Sequence, residues 1–295
     1  MNPPETYAIR DGQTLRNWAD SIQRSERLFC GQPKIGLVVG TFAAVPYIHL
    51  HLETRRRLYP QIPMLVHDDC SPQELELANL CAEYGTEFIS TANRFPICKG
   101  DLSAIASGLI WARAQRLDIL VKMSRRFLPL KPWADELAAL AITSQYATYS
   151  SWTTSFNFGF RTECVGLAVE EWFALGLFDQ IVETILHSDT PFVEGFIHRL
   201  ARHASVRNSK GARAFDAAVG QRPRDRDGYA PWPFMGTDRC AQTDNFLWHD
   251  WSKPEDYAAQ AQRLGLAYEA DAFRDPNMGS GSRPSAKSSV PRAGD

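Results

Sequence analysis

The sequence has no excess of positive charge, no C-x-x-C pair, no long apolar run and no internal repeat. Each absence removes a class of protein. The formal net charge is −2, whereas a protein that binds nucleic acid regardless of sequence normally carries an overall basic field; only a local basic patch stays open. Six cysteines, at positions 30, 70, 81, 98, 164 and 240, are scattered through apolar segments. Unpaired by any C-x-x-C, they are expected to be reduced and mostly buried thiols of a cytoplasmic protein. The start, "MNPPETYAIRDGQ", lacks the apolar core of a signal peptide. No stretch approaches the ~20 apolar residues of a membrane span, so no stable membrane insertion is expected. The histidines lack ligand spacing. His49 and His51 cannot share one helix face, and His198 and His203 are five apart rather than four, so a zinc site is not expected.

What is present is an ordinary globular composition, 44% hydrophobic and 22% charged over 295 residues, enough for one large α/β domain or two modest ones. Between residues 34 and 124 the pattern alternates. "KIGLVVGTF" (34–42) is a continuous β-branched apolar run, the mark of a strand buried on both faces. "VPYIHLHLETRRRLYP" reads as a helix with Pro46 in its first turn. "IPMLVHDDC" (62–70) is a second strand ending in two aspartates. "SPQELELANLCAEYG" (71–85) carries the signals of a capped helix: Ser71 as N-cap, Pro72 at the first position, Glu74 completing S-x-x-E, and Gly85 to end it. "TEFIST" (86–91), a helix over 101–116 with Asp101 as its N-cap, and "DILVKMS" (118–124) complete the series. Strands alternating with helices predict a mainly parallel sheet covered by helices.

Beyond 130 the pattern is mixed. "VEEWFALGLFDQIVETILH", "FVEGFIHRLARHA" and "AAQAQRLGL" read as helices, and "RPRDRDGY" as a loop. From Asp275 the tail has almost no apolar content and is expected to be disordered. The expected organisation is an N-terminal helical segment (1–33), one α/β domain over 34–270 with a nucleotide-binding half (34–130) and an acceptor half (131–270), and the tail (275–295).

In open α/β sheets ligands bind outside the carboxyl ends of the strands. Those ends supply Thr41, then Asp68 and Asp69, then Ser124, Arg125 and Arg126. A hydroxyl, two carboxylates and two guanidinium groups at one edge suit a nucleoside diphosphate. Carboxylates accept from base N–H or ribose hydroxyl groups, and arginines match phosphate oxygens with a planar fork of donors. Trp152, Trp232, Trp248 and Trp251 are candidate platforms for a carbohydrate acceptor. "VVGTFAA" lacks the G-x-G-x-x-G of a dinucleotide-binding oxidoreductase.

"VVGTFAA", "LVHDDCSP" and "KGDLSAIASGLIWARAQRLDILVKMSRRFLPL", in this order, resemble the nucleotide-binding half of a GT-A glycosyltransferase of the family-2 type. The resemblance covers about residues 34–200, more loosely to 270. It implies a Rossmann-like GT-A fold and a glycosyltransferase of hexosyltransferase type. The donor would be a nucleotide-diphosphate sugar, with no further cofactor, and the acceptor a glycan, lipid, protein or modified base. Carried over, Thr41 and Asp68 or Asp69 would touch base and ribose. "SFNFGF" (155–160), with Asn157 and Gly159, would lie near the sugar. Glu194 would be the acid before the following helix and candidate base, with Asp189 as the alternative. His249 would stand at the metal or phosphates.

The sequence departs from the family at one place. Where the family carries Asp-x-Asp, it has Ser124-Arg125-Arg126. The usual carboxylates for Mg²⁺ or Mn²⁺ are absent, which implies either a metal-independent site, with Arg125 or Arg126 and Lys99 or Lys122 in the ion's place, or a protein that binds without turnover.

Overall fold

The computed structural model describes residues 29, 31–144, 146–150, 152–153, 159–160, 162–187, 193–207, 229–235, 244–248 and 252–274. The elements are β1 (Ile35–Thr41), α1 (Val45–Leu58), β2 (Met64–Asp68), α2 (Glu74–Glu83), β3 (Glu87–Ser90), α3 (Ile97–Ala114), β4 (Ile119–Ser124), β5 (Leu128–Pro129), α4 (Ala134–Ser144), β6 (Thr148–Ser150), β7 (Trp152–Thr153), β8 (Gly159–Phe160), β9 (Cys164–Ala168), α5 (Val169–Ala174), α6 (Leu177–His187), α7 (Val193–Arg207), β10 (Ala230–Pro231), β11 (Phe246–Leu247) and α8 (Pro254–Arg263). The predicted N-terminal helix and C-terminal tail lie outside the described residues.

Seven strands form one sheet in the order β10-β6-β9-β4-β1-β2-β3. Strands β4, β1, β2 and β3 are mutually parallel, and β9 runs antiparallel between β4 and β6. This is the mainly parallel α/β class expected from the sequence. β2, β1 apart from the half-buried Gly40 and, up to Ser124, β4 are buried along their length, while β3 at the edge alternates exposed and half-buried residues. Continuous apolar runs therefore occupy the centre, and the alternating strand takes the rim.

The connections from β1 to β2 and from β2 to β3 step one way across the sheet, and the connection through α3 to β4 returns to the other side of β1. Right-handed crossovers then place α3 on the face opposite α1 and α2. α3 settles close because its contact residues are small. A Cβ on Gly108 would come within 2.7 Å of Val38 Cγ1, and one on Gly40 within 3.0 Å of the Ala104 Cβ. The reversal between β1 and β4 is a topological switch point, where a crevice opens at the carboxyl edge.

Two helix starts differ from expectation. Ser71 does not cap α2, whose α-helical hydrogen bonding begins at Glu74 after a turn. Its hydroxyl donates instead to Asp68 Oδ1 at 2.6 Å, and its amide to Asp68 Oδ2 at 2.8 Å. This charge-assisted bond holds the hydroxyl on the Asp68 carboxylate at the end of β2. α3 begins at Ile97, not after Asp101, with Pro96 at the N-cap position. Asp101 lies inside the helix because its carboxylate reaches Lys122 across the sheet at 2.5 Å. Residues 169–187 form two helices broken at Gly176, whose φ of +68° only glycine adopts readily.

The main hydrophobic core lies on both faces of the sheet. A second cluster joins the outer side of α1 to α8 and the segment after it, through Tyr47, Leu50, Leu128, Tyr257, Ala261 and Phe273. Among the described residues no helix is long and apolar enough to cross a membrane.

Candidate functional site

The switch point brings the ends of β1 and β4 side by side, with Gly40 paired to Ser124, and β2 adds Asp68 beside Thr41. Thr41, Asp68, Asp69, Ser124, Arg125 and Arg126 thus converge on one edge. The backbone there is held in sparsely populated geometry: Ala43 and Cys70, both at strand ends in this crevice, have φ of +46° and +56°. Left-handed non-glycine residues of this kind concentrate at ligand sites.

The two aspartates have different surroundings. Asp68 is fully buried and its carboxylate accepts from the Ser71 amide, the Ser71 hydroxyl and, at 3.2 Å, the Ser90 hydroxyl. It builds the turn. Asp69 accepts from the Phe95 amide at 3.0 Å and the Thr91 hydroxyl at 3.3 Å, both through Oδ1. Its Oδ2 lies against Gly100 in the first turn of α3, where a Cβ would approach within 2.7 Å. Burial raises the Asp69 pKa above its ordinary value, opposed by the Phe95 and Thr91 hydrogen bonds and the charge of Arg94. Of the pair, Asp69 is the less enclosed, 7% exposed against 0% for Asp68.

The Ser-Arg-Arg stretch forms a tight turn after β4, closed by Phe127 N donating to Ser124 O at 2.9 Å. Arg125 is bound into the fold. Its amide donates to Gly40 O at 3.1 Å, its Nη1 to Phe42 O at 2.8 Å, and its carbonyl accepts from His51 Nε2 at 3.1 Å. The Arg126 carbonyl accepts from the Tyr257 hydroxyl at 2.5 Å. Arg126 is half-buried. The hydroxyls of Thr41 and Ser124 are buried and have no hydrogen-bond partner, which leaves two donors at this edge for a ligand or water.

Lys122 sits beneath the edge. It is fully buried, its ammonium held by Asp101 and by the Thr162 carbonyl at 3.0 Å. This corrects its assignment to the phosphates: the charge is neutralised inside the sheet–α3 layer. Beside it His67 is buried with neither ring nitrogen bonded, and burial pushes its pKa down to about 4. Lys99 is half-buried in the first turn of α3.

The second half of the predicted site is described only in part. Glu194 is the second residue of α7, and α7 packs along β8. β8 pairs antiparallel with β7, Trp152 with Phe160 and Thr153 with Gly159, and residues 154–158 between them lie outside the described residues. Asp189, Asn157, His249 and Trp251 lie outside the described residues. Trp232 and Trp248 are core residues, 0% and 1% exposed, and Trp232 meets Trp133 edge-on at 5.7 Å. They are not carbohydrate platforms.

Four contributors escaped the sequence reading: Arg94, Phe42, His51 and Tyr257. Arg94, in the loop between β3 and α3, stacks its guanidinium 3.7 Å from the centre of the Phe42 ring. Its place after a strand end was a usable signal. Tyr257 had none, because 131 residues separate it from Arg126.

No protein-family profile matches the chain, and no curated protein matches its sequence. Solved structures similar to it include three proteins. One is the mannosyltransferase PcManGT from Pyrobaculum calidifontis in complex with GDP-Man and Mn²⁺ (14% identity, 72% of each chain covered, TM-score 0.41). Another is S. aureus TarS 1–349 in complex with UDP (11% identity, 62% of this chain and 70% of that one, TM-score 0.39). The third is a cytidylyltransferase from Leptospira borgpetersenii (9% identity, 82% and 92% covered, TM-score 0.42). Likeness this distant carries no weight for the reaction.

Proposed function

We propose that the protein is a glycosyltransferase that moves a sugar from a nucleotide-diphosphate sugar to an acceptor, with inversion and without a divalent metal. The observation that carries this reading is the switch-point edge itself. A carboxylate suited to a base or ribose stands at the end of β2, and a cationic turn stands at the end of β4, where the family resemblance implies two metal-binding carboxylates.

Among the described residues, the donors at this edge are a poor match for a metal ion. The two ligand positions are Ser124 and Arg126, Asp68 is enclosed by Ser71 and Ser90, and no group of three His, Cys, Asp or Glu side chains suited to an ion occurs among the described residues. A fixed guanidinium at this place supports the diphosphate electrostatically. In the reaction, a carboxylate takes the proton of the acceptor hydroxyl, the oxygen attacks the anomeric carbon, and the bond to the diphosphate breaks. Glu194 is the proposed base, with Asp189 the alternative. Arg126 is the proposed cation for the leaving diphosphate, because it stands at the second acidic position of the family's Asp-x-Asp pattern. The lost carboxylates equally favour a second reading, a nucleotide- or glycan-binding protein without turnover.

The test is a thermal-shift and hydrolysis panel of nucleotide sugars with EDTA and with Mn²⁺. Ligand binding to the native state raises its apparent stability. The expected result is a shift and slow hydrolysis in EDTA, with the shift lost in Arg126→Ala and not restored by Mn²⁺. Ser124→Asp combined with Arg126→Asp should acquire metal dependence. A shift without hydrolysis, or without transfer to any acceptor, supports the binding protein. A shift abolished by EDTA in the unaltered protein and restored by Mn²⁺ defeats the metal-free site.

A further inference from the structure

We infer that Tyr257, on the C-terminal helix α8, is a positioning residue for the cationic turn, so that the C-terminal unit sets how the site holds a diphosphate. This rests on the nucleotide-diphosphate reading of the same site.

The turn from Ser124 to Phe127 has three backbone carbonyls that could tip it. Ser124 O is closed within the turn by the Phe127 amide. Arg125 O is held by His51 Nε2 from α1. His51 is fully buried and its pKa is lowered to about 4 by burial, so near pH 7 the ring is neutral and its one N–H is the one that faces Arg125 O. Arg126 O is held by the Tyr257 hydroxyl. The Arg125 guanidinium is tied to Phe42 O on the far wall of the crevice. One arginine of the pair therefore braces the turn, and the other has its backbone fixed from α8.

Tyr257 is itself rigid. It is 1% exposed. Its ring meets Tyr47 edge-on at 5.0 Å and stacks with Phe273 at 5.9 Å. Tyr47 ties the same unit down separately, donating from its hydroxyl to Phe273 O at 2.6 Å. The aromatic cluster supplies the packing, and the Tyr257 hydroxyl reaches from it to the Arg126 carbonyl. A rotated Arg126 peptide would swing the guanidinium away from a bound diphosphate while the base and ribose contacts near Asp69 stayed in place.

The experiment measures binding of UDP, GDP, uridine and guanosine by calorimetry in the full chain, with thermal midpoints alongside. Tyr257→Phe keeps the ring and removes the hydroxyl. It should weaken the binding diphosphate about fivefold, the loss of one ordinary hydrogen bond, and leave the nucleoside within about twofold. Tyr47→Phe removes the neighbouring hydroxyl bond and should lower the thermal midpoint without changing the ratio of diphosphate to nucleoside affinity. Arg126→Ala should weaken the diphosphate, and adding Tyr257→Phe to it should have no further effect, since the tyrosine acts through that arginine. Parallel loss of nucleoside and diphosphate, an additive double mutant, or the same ratio change from Tyr47→Phe overturns the inference. So does a silent Tyr257→Phe beside a damaging Arg126→Ala, which leaves the site reading intact. Failure of the unaltered protein to bind either diphosphate, or an indifferent Arg126→Ala, overturns the site reading and the inference with it.

Discussion

Asp68 and Asp69 are neighbours whose side chains leave a strand end in opposite directions, and the consequences of removing them should separate. Asp68 satisfies one amide and two hydroxyls in full burial. Asp68→Ala should therefore cost stability, about 1–3 kcal/mol for buried donors left unmatched, seen as a lower denaturation midpoint. Asp69 has one oxygen committed to Phe95 and Thr91 and the other against Gly100. Asp69→Ala should keep most of the stability and weaken nucleotide binding by ~1.5–3 kcal/mol, the range for a lost charge-assisted bond. Equal and normal nucleotide affinity of both variants in calorimetry moves the pocket elsewhere. At this scale the sequence showed that an acid pair ends β2, but not which acid is enclosed. That depended on Ser90, which reaches Asp68 from the next strand.

β1 to β4 were legible to within two residues at their ends, because long apolar runs bounded by turn residues leave little freedom, whereas β5 to β11, short and beyond the alternating half, were not read as strands. Helix starts were less legible than those first strands. Ser71 and Asp101 both have the chemistry of a cap, yet both are engaged by distant or buried charge, Asp68 in one case and Lys122 in the other. Local propensity cannot see such partners. The glycines of α3 and α7 make a sharp comparison between elements. Gly108 faces Val38 Cγ1 at 2.7 Å and Leu120 Cδ2 at 2.9 Å from a built Cβ, whereas Gly195 in α7 has open space. A methyl at Gly108 must move a stiff β-branched core residue, so the ~1–3 kcal/mol of overpacking outweighs the ~1 kcal/mol of helix propensity gained. Gly108→Ala is expected to destabilise, and Gly195→Ala to stabilise by about 0.5–1 kcal/mol. Urea midpoints of the two variants decide this; a stabilised Gly108→Ala means that α3 packs less closely on Val38 and Leu120 than these distances require.

Across the whole molecule, two neutral histidines are enclosed on opposite sides of the sheet, His51 under α1 and His67 under α3, each with a pKa lowered to about 4 by burial. Neither was distinguishable in the sequence from a surface histidine of an amphipathic helix or a strand end; only the packing of α1 and α3 encloses them. Their effect on stability has a definite sign. Unfolded, each titrates near 6.5; folded, each stays neutral down to about 4. Between those values the unfolded chain binds more protons, so stability is full above pH 6.5 and falls as the pH drops toward 4, by up to ~1.4 kcal/mol per pH unit for each histidine. His49, its pKa also lowered chiefly by burial, acts in the same direction. Carboxylates do not mimic this between pH 6.5 and 5. Glu53, held down to about 2 from 4.5 chiefly by its hydrogen bond to Arg56, loses its contribution as the pH falls from about 4.5 toward 2, below this window. Urea denaturation at pH 7, 6, 5.5 and 5 should show a falling midpoint with a slope approaching two protons. His51→Gln offers an amide donor to Arg125 O in place of the ring and should reduce that slope by about one proton. A midpoint flat from pH 7 to 5 means that the two rings are reachable by protons in the native fold, and that the layers over both faces of the sheet are looser than this packing requires.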